Sequence, residues 1–323
     1  MKLAIDFGNS YLNIAGENSR GEIIRSSIKS VYDDNVVSAT GKNVIQVDGE
    51  KAIQIGTGNK TFNTSVKVNR IHLKEQLLLA AYKTFGASSN THYLSLACGV
   101  PLEQYKTRPE DIQAFKNDLN ALGTIQGTVE GKVISVNVTS CEVFAECYGA
   151  IGMMEEVFEK QDGDYILIDI GMHTTDVVNV KIEDGVPVGI TQSGTVYTAL
   201  ETLYSELVAI VKARTGIAEL SIYKIDDILK QANPVIQGIK GKVNVQEVLE
   251  TELKNVALEL INELNNSFGE IYHNNLIFLG GGASKYLAAL GQEKIEQLLF
   301  NLKEIPQDLQ YYSNVLGYLE MLD

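Results

Sequence analysis

Two short segments of this 323-residue chain repeat one pattern. The first runs Leu3-Ala4-Ile5-Asp6-Phe7-Gly8-Asn9-Ser10-Tyr11-Leu12-Asn13-Ile14. The second runs Ile166-Leu167-Ile168-Asp169-Ile170-Gly171-Met172-His173-Thr174-Thr175-Asp176-Val177-Val178. In each, an apolar strand enters an Asp, turns on a Gly among small polar residues, and leaves as another strand. Glycine accepts positive φ without steric cost, so successive N–H groups can line one concavity that suits anionic oxygens. Asn9, Ser10, Thr174 and Thr175 add side-chain donors. Alone, each segment reads equally as a β-hairpin with ordinary turn chemistry. Together they predict two similar halves gripping one polyanionic ligand. Asp6 and Asp169 would repel phosphate by themselves, but they suit a Mg²⁺ held through water and shared with phosphates.

A third segment, Asn275-Leu276-Ile277-Phe278-Leu279-Gly280-Gly281-Gly282-Ala283-Ser284, is an apolar strand ending in three glycines, with a helix expected from Ser284. Backbone without side chains at a strand-to-helix turn lets a flat base or a ribose phosphate approach a helix N-terminus.

These three motifs, in order and spacing, resemble the actin superfamily of ATPases, and the likeness covers nearly the whole chain. The segments match that family's first phosphate loop, its second (Asp-x-Gly-x-x-Thr-Thr-Asp) and its adenosine loop. Local agreement is greatest with the ParM-type plasmid-segregation actins, through Tyr93-Leu94-Ser95-Leu96-Ala97-Cys98-Gly99-Val100-Pro101-Leu102-Glu103-Gln104-Tyr105 and the tail from Pro306 to Tyr318. The resemblance implies an α/β, ribonuclease H-like two-domain fold with a nucleotide cleft between the domains. Domain I is expected over residues 1–156 with 308–323, carrying a small exposed subdomain at about 33–66, and domain II over 157–307. It implies ATP or GTP with Mg²⁺, contacted by Asp6, Gly8, Asn9, Ser10 and Tyr11, by Asp169, Gly171, Met172, His173 and Thr174, and by Gly280, Gly281, Gly282 and Ala283. Gly194, expected after a strand at 186–192, resembles the glycine that touches ribose or phosphate in relatives; its other reading is a turn glycine. Lys230 and Gln231 fall near the expected base and ribose.

In ParM- and MreB-like relatives a Glu begins the helix after a strand and positions the attacking water. Glu142 is assigned that role, seven residues before the Gly149-Ala150 pair, with a strand expected at Val133–Val138. Phosphoryl transfer asks mainly for an oriented nucleophile and neutralised charge. Glu146, one turn later if the segment is helical, is the substitute. His173 in the second turn reads as a solvent-facing side chain or a charge sensor.

Composition accords with this. The net charge is −14 and no Lys/Arg stripe stands out, so direct nucleic-acid binding is not expected. Cys98, Cys141 and Cys147 lack metal-ligand spacing and read as reduced core thiols of a cytoplasmic protein. No apolar run is long enough to span a bilayer, and Met1-Lys2 leads directly into a strand, so neither a signal peptide nor membrane attachment is expected. Helices are expected at Leu73–Thr84, Pro109–Leu122, about Val196–Arg214, Ile225–Gln231 and Gln246–Ser267.

The function implied is a nucleotide-driven filament that segregates plasmid DNA. Its partners would be further copies of itself, head to tail, and a ParR-like DNA-binding adaptor. A small-molecule kinase would use the same loops, although no substrate-pocket Asp is evident. A rod-shape or cell-division actin remains a third reading, and a chaperone ATPase would need a substrate module after the nucleotide domain.

Overall fold

The computed structural model describes residues 1–62, 70–153, 162–303 and 305–322. Contacts divide the chain into unit 1, Met1–Glu159 with Tyr312–Asp323, and unit 2, Lys160–Tyr311.

Unit 1 begins as an antiparallel meander, β1 (Lys2–Phe7), β2 (Tyr11–Glu17) and β3 (Ile23–Lys29). Short strands follow: β4 (Val31–Asp33), β5 (Val44–Val47), β6 (Ile53–Ile55) and β7 (Lys60–Thr61). Then come α1 (Leu73–Phe85), β8 (His92–Val100), α2 (Leu102–Thr107), α3 (Pro109–Ala121), β9 (Thr124–Val129), β10 (Lys132–Ala145) and α4 (Tyr148–Met153). The strands form one ten-stranded sheet, ordered β3-β2-β1-β8-β10-β9-β5-β6-β4-β7. Leu77, Leu78 and Leu79 of α1 are fully buried and share a core with Leu3 and Ile5 of β1 and Leu94 and Leu96 of β8.

Residues 33–62 fall in the segment expected, at about 33–66, as a small exposed subdomain, and their strands continue the main sheet. Val44, Ile45, Val47, Ile53, Ile55 and Phe62 are buried, and β5 pairs antiparallel with β9, so the segment extends the main sheet. Residues 63–66 lie outside the described residues.

Unit 2 repeats the plan with β11 (Gly163–Ile170), β12 (Thr175–Glu183) and β13 (Val186–Val196), followed by α5 (Leu200–Thr215) and α6 (Ile222–Leu229). A hairpin of β14 (Val235–Gln237) and β15 (Lys242–Asn244) leads to α7 (Val245–Glu252) and α8 (Lys254–Phe268). The expected single helix at Gln246–Ser267 is thus two, because Leu253 leaves helical geometry and turns its side chain into the core. β16 (Asn275–Leu279), α9 (Ala283–Leu290) and α10 (Gln292–Leu298) complete the unit, with the sheet ordered β13-β12-β11-β16. The last helix, α11 (Gln307–Glu320), divides after Tyr311, its later turns counting with unit 1. In both sheets a three-stranded antiparallel meander is joined by a parallel strand, β8 on β1 and β16 on β11.

All three cysteines are buried thiols that form no disulfide. Among the described residues no helix is long and apolar enough to cross a membrane.

Where β9 turns into β10, Glu130 adopts positive φ (55°) and ties three elements together. Its carboxylate accepts from the Asn43 N–H (3.1 Å), Lys83 Nζ (2.9 Å) and Tyr82 Oη (3.2 Å). The Asn43 amide, then Lys83, hold this carboxyl below its usual range. A carboxyl depressed on folding adds stability that is present above its unfolded pKa and is lost as pH falls through the folded one. Glu130→Gln should therefore lower stability by about 1 kcal/mol at pH 7, and the gap from wild type should close in urea melts near pH 3.

Candidate functional site

In unit 1 three parallel strands end level with one another. Asp6 of β1 stands opposite Gly99 of β8, and Gly99 opposite Phe144 of β10. In sheets of this kind, ligands bind beyond the carboxyl ends of the strands. Here those ends lead into the Gly8–Ser10 turn, Pro101, and Glu146–Cys147.

Beneath the first turn lies Arg70, 8% exposed. Its guanidinium donates to the Phe7 carbonyl (2.8 Å), to Ser30 Oγ (3.2 Å) and to Gln76 Oε1, and it lies over the rings of Phe7 and Phe62. Burial pulls Arg70 down to about 10, and the charges of Asp6 and Glu146 oppose that fall, so Arg70 stays cationic at neutral pH with two carboxylates in its field. Ser30 completes the scaffold: its Oγ donates to the Gly8 carbonyl (2.6 Å) and its N–H to the Ser10 carbonyl (2.8 Å).

This network determines which way the turn's amides face. In a trans peptide the N–H points opposite the C=O. With the carbonyls of Phe7, Gly8 and Ser10 held by Arg70 and Ser30, the N–H groups of Gly8, Asn9 and Tyr11 are directed to the other side. Gly8 is required because a Cβ there would overlap the Tyr11 carbonyl. Ser10 Oγ is buried without a protein partner, a cost in the protein alone that a ligand atom would remove.

Glu142 does not begin a helix. It lies within β10 opposite Ala97, and its side chain, 52% exposed, pairs with Lys116 of α3 at 2.7 Å. The carboxylate that follows the strand and precedes α4 is Glu146. Its N–H donates to the Val100 carbonyl (2.8 Å), and its charge acts on Arg70 together with that of Asp6. Nothing in the sequence around Arg70, which follows a polar, turn-rich stretch, marks it as part of a site.

In unit 2, Asp169 stands opposite Leu279, so the second turn and the triple glycine leave the ends of adjacent parallel strands. Gly280 has φ 78°, and a Cβ there would overlap the Asp169 carboxylate and the Ile170 carbonyl. The Gly280 N–H donates to the Gln310 carbonyl (2.9 Å) and the Gly282 N–H to that of Ile170 (2.9 Å), with Ala283 opening α9. In the Gly171–Thr174 turn, the carbonyls of Gly171 and Met172 accept from Leu200 and Glu201 at the start of α5 (3.2 and 2.8 Å). By the same peptide geometry, the N–H groups of Met172 and His173 face away from that helix. Met172 is buried in the core, and Thr174 is half-buried. His173 does not simply face solvent; its Nδ1 is 2.7 Å from Glu201 Oε2.

Gly194 lies inside β13, opposite Val177, and neither follows the strand nor makes a turn. A Cβ there would press on the Phe268 ring, which makes packing the visible reason for glycine. Lys230 pairs with Asp226 (2.6 Å), whose other oxygen accepts from Tyr204 Oη (2.9 Å). Burial, then the charge of Lys285, lower the Lys230 amine to about 8. Two cationic side chains thus lie close to each other, one of them in the first turn of α9.

Two family models match successive parts of the chain. "Actin like proteins N terminal domain" matches residues 4–149, and "Archaeal actin homologue MreB-like, C-terminal" matches residues 167–291. Archaeal actin homologs of Thermoplasma acidophilum and Thermoplasma volcanium are each 26% identical, over 229 and 232 residues, or 70% of this chain and 67% of theirs. Among solved structures, an archaeal actin homolog matches with a TM-score of 0.76 at 21% identity, over 100% of this chain and 98% of that one. Its complex with ADP gives 0.75 at 22% identity, over 99% and 98%. A 15-stranded ParM filament from Clostridium botulinum gives 0.72 at 17% identity, again over 99% and 98%. At these identities the structural likeness establishes the fold.

Two substitutions test the geometry independently of any activity. Gly280→Ala combines positive φ with an overlap against Asp169 and should cost about 1–3 kcal/mol in thermal or urea melts. Glu142→Ala removes only an exposed ion pair and should change stability by less than about 1 kcal/mol.

Proposed function

The chain belongs to the actin-like superfamily, and on that premise we propose that it binds and hydrolyses ATP or GTP and assembles head to tail into filaments that move plasmid DNA through a ParR-like DNA-binding adaptor. The observation that carries the nucleotide site is the first turn, whose carbonyls are tied to Arg70 and Ser30 and whose Ser10 hydroxyl is buried without a hydrogen-bond partner. Solved relatives accord with nucleotide binding and assembly: one archaeal actin homolog was solved in complex with ADP, and one ParM as a filament.

In this reading the amides of Gly8, Asn9 and Tyr11 and the Ser10 hydroxyl bind phosphate oxygens, as do the Met172 and His173 amides and Thr174. Gly280–Gly282 let the nucleoside approach the start of α9, where Lys285 and Lys230 add positive charge. Glu146 replaces Glu142 as the residue that orients the attacking water and accepts its proton. Arg70 lies in the field of Glu146 and places a fixed positive charge at the same edge of the sheet.

Asp6 and Asp169 are the residues that would hold Mg²⁺. Each ends an apolar strand just before a glycine turn, and a carboxylate acting through water suits a cation that keeps most of its hydration and shares the substrate's phosphates. When bound, Mg²⁺ supplies neutralisation of phosphate charge. A filament of this kind requires a heterologous interface, which does not close on itself.

The test is light scattering with sedimentation and phosphate release, comparing ATP–Mg²⁺ with GTP–Mg²⁺. Wild type should show triphosphate-triggered scattering that decays. Glu146→Gln should polymerise but release phosphate on the order of 10²-fold more slowly or worse, giving persistent polymer. Glu142→Ala should behave as wild type. Nucleotide turnover without polymer at any concentration would instead favour a small-molecule kinase, and a DNA-segregation role fails if plasmid retention in the host is unchanged by Glu146→Gln.

A further inference from the structure

Glu146 sits beside a residue in an unfavourable conformation. Cys147 is fully buried and has φ 68°, in the left-handed region that a side chain with a Cβ adopts rarely. A residue in that conformation at a strand end has no partner for its N–H in either the strand ladder or the helix. The Cys147 N–H instead donates to Asn314 Oδ1 at 2.9 Å, and Asn314 is itself buried.

The direction of the Glu146 side chain is set by the two peptide planes that meet at its Cα. The plane before it is pinned twice: the Glu146 N–H donates to the Val100 carbonyl (2.8 Å), and the Ala145 carbonyl accepts from Tyr318 Oη (3.4 Å). The plane after it is pinned by the bond from Cys147 to Asn314. Fixing both planes fixes φ and ψ of Glu146, and with them its Cα–Cβ vector. Two of these three bonds come from α11, whose residues 314 and 318 lie one turn apart on a common face.

The packing around these bonds leaves little room for adjustment. The Tyr318 ring stacks on Phe144, with centroids 5.5 Å apart and planes at 12°. A Cβ at Gly99 or Gly149 would overlap the Tyr318 ring, and one at Gly317 would overlap the Gly149 backbone. Glycine at 149 and 317 thus lets the last turns of α11 reach the strand end closely enough for Asn314 and Tyr318 to make their bonds.

We propose that Asn314 and Tyr318 are positioning residues for Glu146, acting through the backbone on either side of it and touching no substrate. The proposal rests on the hydrolytic role assigned to Glu146 above.

Single-turnover phosphate release at saturating nucleotide, together with the Kd of a fluorescent nucleotide analogue, would test it. Asn314→Ala and Tyr318→Phe should each slow release by 10- to 100-fold while leaving Kd within twofold. Asn314→Asp, which retains an acceptor, should recover most of the rate. In a Glu146→Gln background, Asn314→Ala should slow the residual reaction no further, because the residue acts only through Glu146. A further loss there, or a rise in Kd matching the fall in rate, would assign Asn314 a general structural role and overturn the proposal. Amide exchange supplies a readout independent of turnover. Protection of the Glu146 and Cys147 amides should fall in Asn314→Ala while the β1 and β8 amides stay protected, and unchanged protection at Cys147 would overturn the clamp. Wild type that fails to hydrolyse any nucleotide, with this exchange pattern intact, would overturn the hydrolytic reading and leave the clamp standing.

Discussion

A buried positive charge is the constraint on which unit 1 is built. Removing a guanidinium from water costs several kcal/mol unless hydrogen bonds and opposite charges compensate. Around Arg70 that compensation comes from the Phe7 carbonyl, Ser30, Gln76, two aromatic faces and the charges of Asp6 and Glu146. Through Phe7 it is tied to the end of β1, through Ser30 to the link between β3 and β4, and through Gln76 to α1. The turn after β1 keeps its shape because Arg70 and Ser30 hold its carbonyls, and the two carboxylates stay together because a cation lies within reach of both. Replacing Arg70 by an apolar residue would leave Asp6 and Glu146 without the positive charge that acts on both.

Unit 2 solves the same problem with other means. Its turn has no buried arginine among the described contacts; the carbonyls of Gly171 and Met172 are held by the first amides of α5. These are the donors that a helix otherwise leaves unsatisfied at its N-terminus. In both units the carbonyls of the turn are occupied on one side, and planarity of the peptide turns the amides to the other. The common element is therefore the orientation of the backbone, and the two sequences share only the Asp, the Gly and the small polar residues that permit it. Asp169 backs onto a glycine, where Asp6 shares the field of a cation, so the two carboxylates differ in their surroundings although they hold equivalent places in their strands.

The meanders, the parallel strands and the three glycine turns were legible because each is local: an apolar run, then a residue type whose conformational range or hydrogen-bonding capacity defines the turn. What was not legible depends on distant pairing. The polar composition of residues 33–66 announces a small exposed subdomain but not the pairing of β5 with β9, by which Val44, Ile45 and Val47 are buried on the main sheet. Gly194 looked like a turn residue because nothing in its own neighbourhood announces Phe268, whose ring claims the space. Arg70 was invisible for the same reason, since its partners lie at Phe7, Ser30 and Glu146.

The position of Glu142 inside a strand, where a helix start is expected from the sequence, has a specific cause in β10. Along this strand Ile134, Val136 and Val138 are buried, then Cys141, Val143 and Ala145, so the buried positions change from even to odd. The register against β8 shifts between Val138 and Ser140, and Thr139, the extra residue, bonds through its Oγ1 to the Leu94 carbonyl (2.9 Å). Such a bulge inserts one residue without ending the strand. Read as a strict alternation, the strand stops at Val138 and a helix beginning near Glu142 follows naturally. Read with one inserted residue, the alternation continues to Ala145, Glu142 faces outward toward Lys116, and the first acidic side chain past the strand end is Glu146. The bulge thus changes which of two glutamates, four residues apart, can reach the carboxyl edge of the sheet. A deletion at Thr139 would restore the alternation but move every later residue of the strand by one, carrying Glu146 off the edge where Arg70 and Asp6 wait.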